Sequence, residues 1–168
     1  MGKEKEKENE ESALDNLKVV YREIQKEYDL PDFDSLNRDF QIEKLAESET
    51  DFLVREIRKF VAEKMSNYLR FIETILNPVN VHMFVYSVIK SIGNEEKKVL
   101  TNVYKKLAKF EVDLIGLDIS FSEEKEVKFI KSAFEVWQEI KKDILGVLDI
   151  VKKNWDNKIE SNGKGYFG

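Results

Sequence analysis

The side chain best suited to proton chemistry is His82, the only histidine in the chain. Histidine exchanges protons near neutral pH and is the most common general acid or base in enzymes. Catalysis would also need a nucleophile or a carboxylate beside the ring, and none lies at a useful local spacing from His82. The residues around it, from Val81 to Val85, are mostly apolar. The sequence therefore predicts a histidine near a helix start, in a protein that is not an enzyme and has no catalytic residue.

A second kind of chemistry is the binding of anions by clustered lysines. Residues 95–110 carry the five candidates Lys97, Lys98, Lys105, Lys106 and Lys109. They lie on a predicted helix that follows the short turn around Gly93, which outlines a helix-turn-helix with a basic second helix. Phosphate groups would then be the ligands. Because this helix has no arginine and the whole chain is acidic, we favour a solvated helix face over nucleic-acid binding.

A third candidate is an aromatic face formed by Phe134, Trp137 and Trp155 on the last predicted helix. Aromatic side chains at helical spacing belong either to a core or to an interface, where they carry much of the binding energy. With no catalytic constellation in view, the sequence predicts a non-enzymatic interaction or scaffold protein. Its partner would be another protein or a second copy of the chain, and a nucleic-acid-associated factor using residues 95–110 is the alternative.

Composition excludes several classes of site. The chain has no cysteine, which excludes disulfides, thiolate zinc sites, iron–sulfur clusters and cysteine nucleophiles. A single histidine excludes metal motifs that need two. Asp29, Asp32 and Asp34 cluster around Pro31 without the pattern of a calcium-binding loop, so we interpret them as turn and helix-cap residues. The sequence predicts no metal site and no cofactor.

These candidates must be positioned by helices. Apolar residues recur every three or four positions along most of the 168 residues, and only Pro31 and Pro78 interrupt the pattern. We predict an elongated all-α bundle of about five to six helices, forming a single domain over residues 12–156. Ser12 is the predicted cap of the first helix, and Gly93 is expected to end the fourth in a left-handed conformation.

The last helix has the sharpest pattern. Ser120 and Glu123 have the spacing of a capping box. The apolar residues that follow fit a heptad repeat broken only at Lys141: Val127, Ile130, Phe134, Trp137, Ile144, Leu148, Val151 and Trp155. Such a repeat predicts a long helix with coiled-coil-like packing. The dense apolar residues over 112–121 are expected to form a helix end and a packed loop.

The two ends differ from this pattern. Residues 1–11 alternate lysine and glutamate and are predicted to be a disordered charged tail, and residues 157–168 contain three glycines and are predicted to be a flexible tail. Residues 1–11 lack the apolar region of a signal peptide, and no run of eighteen apolar residues occurs. We therefore expect a soluble cytoplasmic protein that makes no use of a membrane.

Charge is unevenly distributed along the chain. The net charge of −5 averages a first segment, residues 1–50, with 8 basic and 15 acidic residues, and a middle segment, residues 51–110, with 11 basic and 6 acidic residues. Residues 111–168 are again mildly acidic. This segregation indicates either an internal match between charged faces or a charged binding surface.

Overall fold

The computed structural model describes the backbone of residues 2–48 and 50–163 and the side chains of 12–48 and 50–156. In this part of the chain there is no strand. The helices are α1 (Gly2–Tyr28), α2 (Phe33–Phe40), a 3-10 helix (Ile42–Glu47), α3 (Leu53–Leu76), α4 (Met83–Ser91), α5 (Asn94–Ile119) and α6 (Glu123–Gly163). The predicted all-α bundle with a long last helix is confirmed.

The junction between α1 and α2 follows from local residue chemistry. α1 is followed by Asp29, whose φ of 54° is left-handed, a conformation that aspartate adopts more readily than most residues. α2 then begins at Asp32, whose carboxylate accepts a hydrogen bond from the Ser35 N–H at 2.9 Å. The hydrogen bonds from Ser35 lower the pKa of Asp32. Asp29 and Asp32 are thus a turn residue and a helix cap, as predicted.

Two predictions at the ends of α5 are wrong, the left-handed conformation of Gly93 before it and the loop over 112–121 after it. No described glycine has a positive φ, so Gly93 does not end α4 in the left-handed conformation. Gly93 instead caps α5: its N–H donates to Glu96 Oε2 at 2.7 Å, and its carbonyl accepts from the Lys97 N–H at 3.1 Å. At the other end, the helix continues through the predicted loop over 112–121 to Ile119. A β-branched composition is a weak preference that helical spacing overrides here.

The start and the buried face of α6 also differ from prediction. Its cap is Ser122, whose carbonyl accepts from the Glu126 N–H at 3.0 Å, and not Ser120. Five of the eight predicted heptad positions are in the core, namely Val127, Ile130, Trp137, Ile144 and Val151. At two others the buried residue is the one before the predicted one, Ala133 for Phe134 and Val147 for Leu148. The helix buries Glu126, Val127, Phe129, Ile130, Ala133, Trp137, Ile140, Ile144, Val147 and Val151. Lys141 therefore breaks no repeat, because Ile140 takes the core position beside it.

Both predicted tails have helical backbone in the structure. α1 begins at Gly2 instead of the predicted cap at Ser12, and α6 continues through residues 157–163. Lysine and glutamate are good helix formers, so residues 2–11 can extend α1. Met1 and residues 164–168 lie outside the described residues.

The chain forms two compact units. Unit 1 comprises Met1–Met65 and Phe110–Glu135, and unit 2 comprises Ser66–Lys109 and Val136–Gly168. Each unit has a core of fully buried side chains: Tyr21, Leu36, Ile42, Ile57, Val61, Met65 and Ile130 in unit 1, and Ile72, Val103, Leu107 and Ile140 in unit 2. The single domain over residues 12–156 stays a prediction.

The charge segregation follows the two units more sharply than it follows thirds of the sequence. Unit 1 contains 25 acidic and 15 basic residues, a net charge of −10. Unit 2 contains 8 acidic and 13 basic residues, a net charge of +5. A surface on unit 1 therefore lies in a negative field, and a surface on unit 2 lies in a positive one. No helix among the described residues has the length and apolar character needed to cross a membrane.

Candidate functional site

The predicted aromatic face is largely engaged in packing. Trp137 is only 3% exposed, and its ring centroid lies 5.1 Å from that of Tyr68 within unit 2. Trp155 is half-buried, with its ring 5.9 Å from Phe84. Phe134, which belongs to unit 1, is also half-buried. Trp137 is therefore a core residue, and the other two offer only part of their surface to a partner.

The five predicted anion-binding lysines all lie on α5 in unit 2. Lys98 pairs with Glu95 at 2.7 Å, and Lys106 pairs with Glu139 at 2.8 Å. The hydrogen bond that Lys106 donates to Glu139 raises the pKa of the lysine and lowers the pKa of the glutamate. The remaining three are exposed and form no ion pair with the side chains that the structure describes: Lys97, Lys105 and Lys109.

His82 caps α4 through its backbone, and its exposed imidazole makes no capping hydrogen bond. No described carboxylate forms an ion pair or a hydrogen bond with its ring. Over residues 12–48 and 50–156, no group of three or more histidine, aspartate or glutamate side chains could hold a metal ion. The structure therefore offers no more support than the sequence for acid–base or metal chemistry at this position.

A site that the sequence analysis missed is a groove beside α1 in unit 1. Two cavities of about 240 and 280 Å³ share the lining residues Val20, Thr50 and Leu53. We call these two cavities together the α1 groove. Exposed apolar side chains surround it: Val20 is 47% exposed, Phe52 is 59% exposed and Phe121 is 52% exposed. Exposed apolar side chains clustered around a concave surface are a common feature of binding sites.

Local structure forms the two walls of the α1 groove. On one side, Ala13, Leu17, Val20 and Ile24 recur at helical spacing along α1. On the other side lie Leu45 of the 3-10 helix and the segment that leads into α3. In that segment the Thr50 hydroxyl accepts a hydrogen bond from the Phe52 N–H at 3.0 Å, which fixes the turn before the helix.

One end of the α1 groove holds a buried carboxylate. Glu126 is 1% exposed and lines the larger cavity. Its Oε1 lies 3.4 Å from a terminal nitrogen of Arg58 and 3.6 Å from Arg55 Nε. Its Oε2 is buried and has no hydrogen-bond partner among the residues that the structure describes. Arg58 also lies 3.6 Å from Asp118, so two cations and two anions meet here.

Arg55 links this carboxylate to the aromatic rim of the α1 groove. Its guanidinium lies 3.9 Å from the ring centroid of Phe121 and 5.5 Å from that of Phe52. Both distances are within the range of a cation–π interaction. Arg55 therefore holds exposed aromatic rings at the mouth of the groove while its Nε faces Glu126.

The sequence contained two weak signals for this site. Val20 lies on α1 one residue before the buried Tyr21, and Phe52 lies one residue before the start of α3, so both are apolar residues beside a helix core and not in it. Glu126 occupies a core position once the heptad of α6 is placed in the register that the structure shows. No local spacing could bring these three residues together, because they come from three separate parts of the chain.

Comparison of the chain with family models, with curated proteins and with solved structures finds no match.

Proposed function

We propose that the protein is a non-enzymatic binding module that takes an amphipathic helical segment of a protein partner into the α1 groove. The observation that carries this proposal is the exposure of Val20, Phe52 and Phe121 at two adjoining cavities that share three lining residues. An amphipathic helix binds such a groove through side chains spaced three, four and seven residues apart. Aromatic residues at the rim supply contact area with little loss of conformational freedom on binding.

Val20 is the best single position at which to test the groove, because it lines both cavities. The probe is a phage-displayed library of helical peptides of about 18 residues, five turns, with apolar residues on one face. We expect Val20→Asp to weaken the binding of selected peptides by about tenfold or more, since it places a charge against the apolar face of the peptide. Fluorescence anisotropy with labelled peptides measures the change.

Val19→Asp is the matched control. Val19 is 53% exposed, is the neighbour of Val20 on α1 and lines neither cavity. The two variants introduce the same charge one residue apart, so Val19→Asp should leave peptide affinity within about twofold of the unchanged protein. The α1 groove is rejected as the binding site if the library yields no peptide that binds saturably. It is also rejected if Val20→Asp and Val19→Asp weaken peptide binding equally.

The three exposed lysines of α5 favour a second candidate function, nucleic-acid association through unit 2. If they contact phosphates, replacing Lys97, Lys105 and Lys109 with glutamine should reduce the slope of log affinity against log salt by about 2 to 3. Double-stranded DNA and RNA are titrated between about 50 and 200 mM salt. Replacing the exposed Lys152 and Lys153 of the same unit is the control. No binding at the lowest salt would remove this candidate.

A further inference from the structure

Charge at the α1 groove is predominantly negative. Asp51, Glu123 and Glu126 line the larger cavity, and Arg55 is the one cation among its described lining residues. The groove also belongs to unit 1, whose net charge is −10. A partner segment with basic residues beside its apolar face would therefore be attracted to this site, and an acidic one would be repelled.

The buried oxygen of Glu126 identifies a more specific requirement. Both arginines lie close to Oε1, which leaves Oε2 without a hydrogen bond from any described residue. An ionised carboxylate accepts hydrogen bonds at both oxygens, and buried polar atoms in native proteins are almost always partnered. Glu126 lines the larger cavity but its Oε2 is covered, so a donor on a bound partner can supply the missing hydrogen bond once the side chains that cover Oε2 move aside.

We infer that the segment bound in the α1 groove carries a lysine or arginine whose side chain enters the larger cavity and donates to Oε2 of Glu126. This inference rests on the proposed function and names the chemistry of the partner. An ammonium or guanidinium group supplies both the missing donor and a positive charge, which makes the hydrogen bond stronger than one from a neutral group. The apolar stem of the same side chain can pack against Val20 and Ile24 on its way into the cavity.

The first arm of the test is a selection. In the helical peptide library, the positions that border the apolar face are varied among Lys, Arg, Gln, Glu and Leu. We expect Lys or Arg to be enriched at one border position on the unchanged protein. On Glu126→Gln the enrichment should disappear, while on Glu124→Gln it should persist. Glu124 is a matched control because it is exposed, lies two residues away on α6 and lines neither cavity.

The second arm measures the interaction as a double-mutant cycle. The enriched basic residue is made lysine, and a second peptide carries Nε-acetyl-lysine in its place, which removes the charge. Acetylation should weaken binding by about tenfold on the unchanged protein and on Glu124→Gln. On Glu126→Gln its effect should fall below about twofold.

The outcomes separate the two proposals. If no peptide binds in a Val20-dependent way, the proposed function fails. If Val20-dependent peptides are selected without a basic residue, or if acetylation has the same effect on Glu126→Gln as on the unchanged protein, the binding module stands and the inference is overturned. Urea unfolding establishes that Glu126→Gln is folded. If it is not, enrichment on the unchanged protein and the effect of acetylation there decide the question.

Discussion

Trp137→Ala should lower the free energy of unfolding by about 3–5 kcal/mol, the usual effect of removing a buried tryptophan. Trp137 is 3% exposed and packs with its ring centroid 5.1 Å from that of Tyr68 in the core of unit 2. The truncation leaves a cavity that the surrounding helices can fill only in part. Urea unfolding followed by circular dichroism measures the change without relying on tryptophan fluorescence.

Trp155→Ala is the comparison, because it removes the same side chain further along α6. Trp155 is half-buried, so its truncation should cost only about 1 kcal/mol. A larger effect at Trp155 than at Trp137 would contradict the assignment of the core. Neither truncation should remove peptide binding to the α1 groove in protein that is still folded. Loss of binding in Trp155→Ala alone would favour the aromatic face as the docking surface.

The helices could be predicted because helical periodicity is a local property of the chain. Apolar residues recur at helical spacing from Leu53 to Leu76, and α3 begins and ends at these residues. Pro31 and Pro78 follow shortly after the ends of α1 and α3, as expected for a residue that disfavours helix immediately before it. Caps were harder to assign, because Ser120 and Ser122 are equally suitable by residue type. Only the backbone geometry distinguishes them.

The register of α6 shows where local patterning stops being decisive. Val127, Ile130, Trp137, Ile144 and Val151 are both predicted and observed in the buried stripe. Between them, either of two adjacent residues can complete a heptad, since both lie close to the same helix face. The larger Phe134 and Leu148 favoured one register, whereas the structure buries Ala133 and Val147. Lys141 at an apolar position was the sign that the register was shifted.

The same shift concealed the candidate site. In the observed register, Glu126 is the first buried residue of α6, so the core must accommodate its carboxylate. Its partners Arg55 and Arg58 come from α3, about seventy residues earlier in the chain. The proximity of these arginines to Glu126 depends on how α3 packs against α6, which the spacing of residues within one helix cannot predict. The sequence could therefore predict a helical interaction protein, but not which surface would bind.

Arg58→Ala should lower the free energy of unfolding by about 3 kcal/mol, because it leaves Glu126 buried with one of its two cations removed. Arg58 is 9% exposed and Glu126 is 1% exposed, so water can replace little of the lost interaction. Urea unfolding measures the effect. Lys59→Ala is the control on the same helix: Lys59 pairs with Glu56 at 2.7 Å at an exposed position, and its loss should change stability by about 0.5 kcal/mol or less.

Replacing both members of the buried pair should have the opposite outcome. The double variant Arg58→Met with Glu126→Leu removes both charges together and fills their space with apolar side chains, so its stability should return to within about 1 kcal/mol of the unchanged protein or exceed it. A double variant as unstable as Arg58→Ala would show that the pair stabilises the fold. If the double variant is stable and still binds helical peptides but no longer prefers a basic residue, the carboxylate is needed for recognition and not for folding. Stability and peptide preference, measured on one variant, therefore separate the two roles of Glu126.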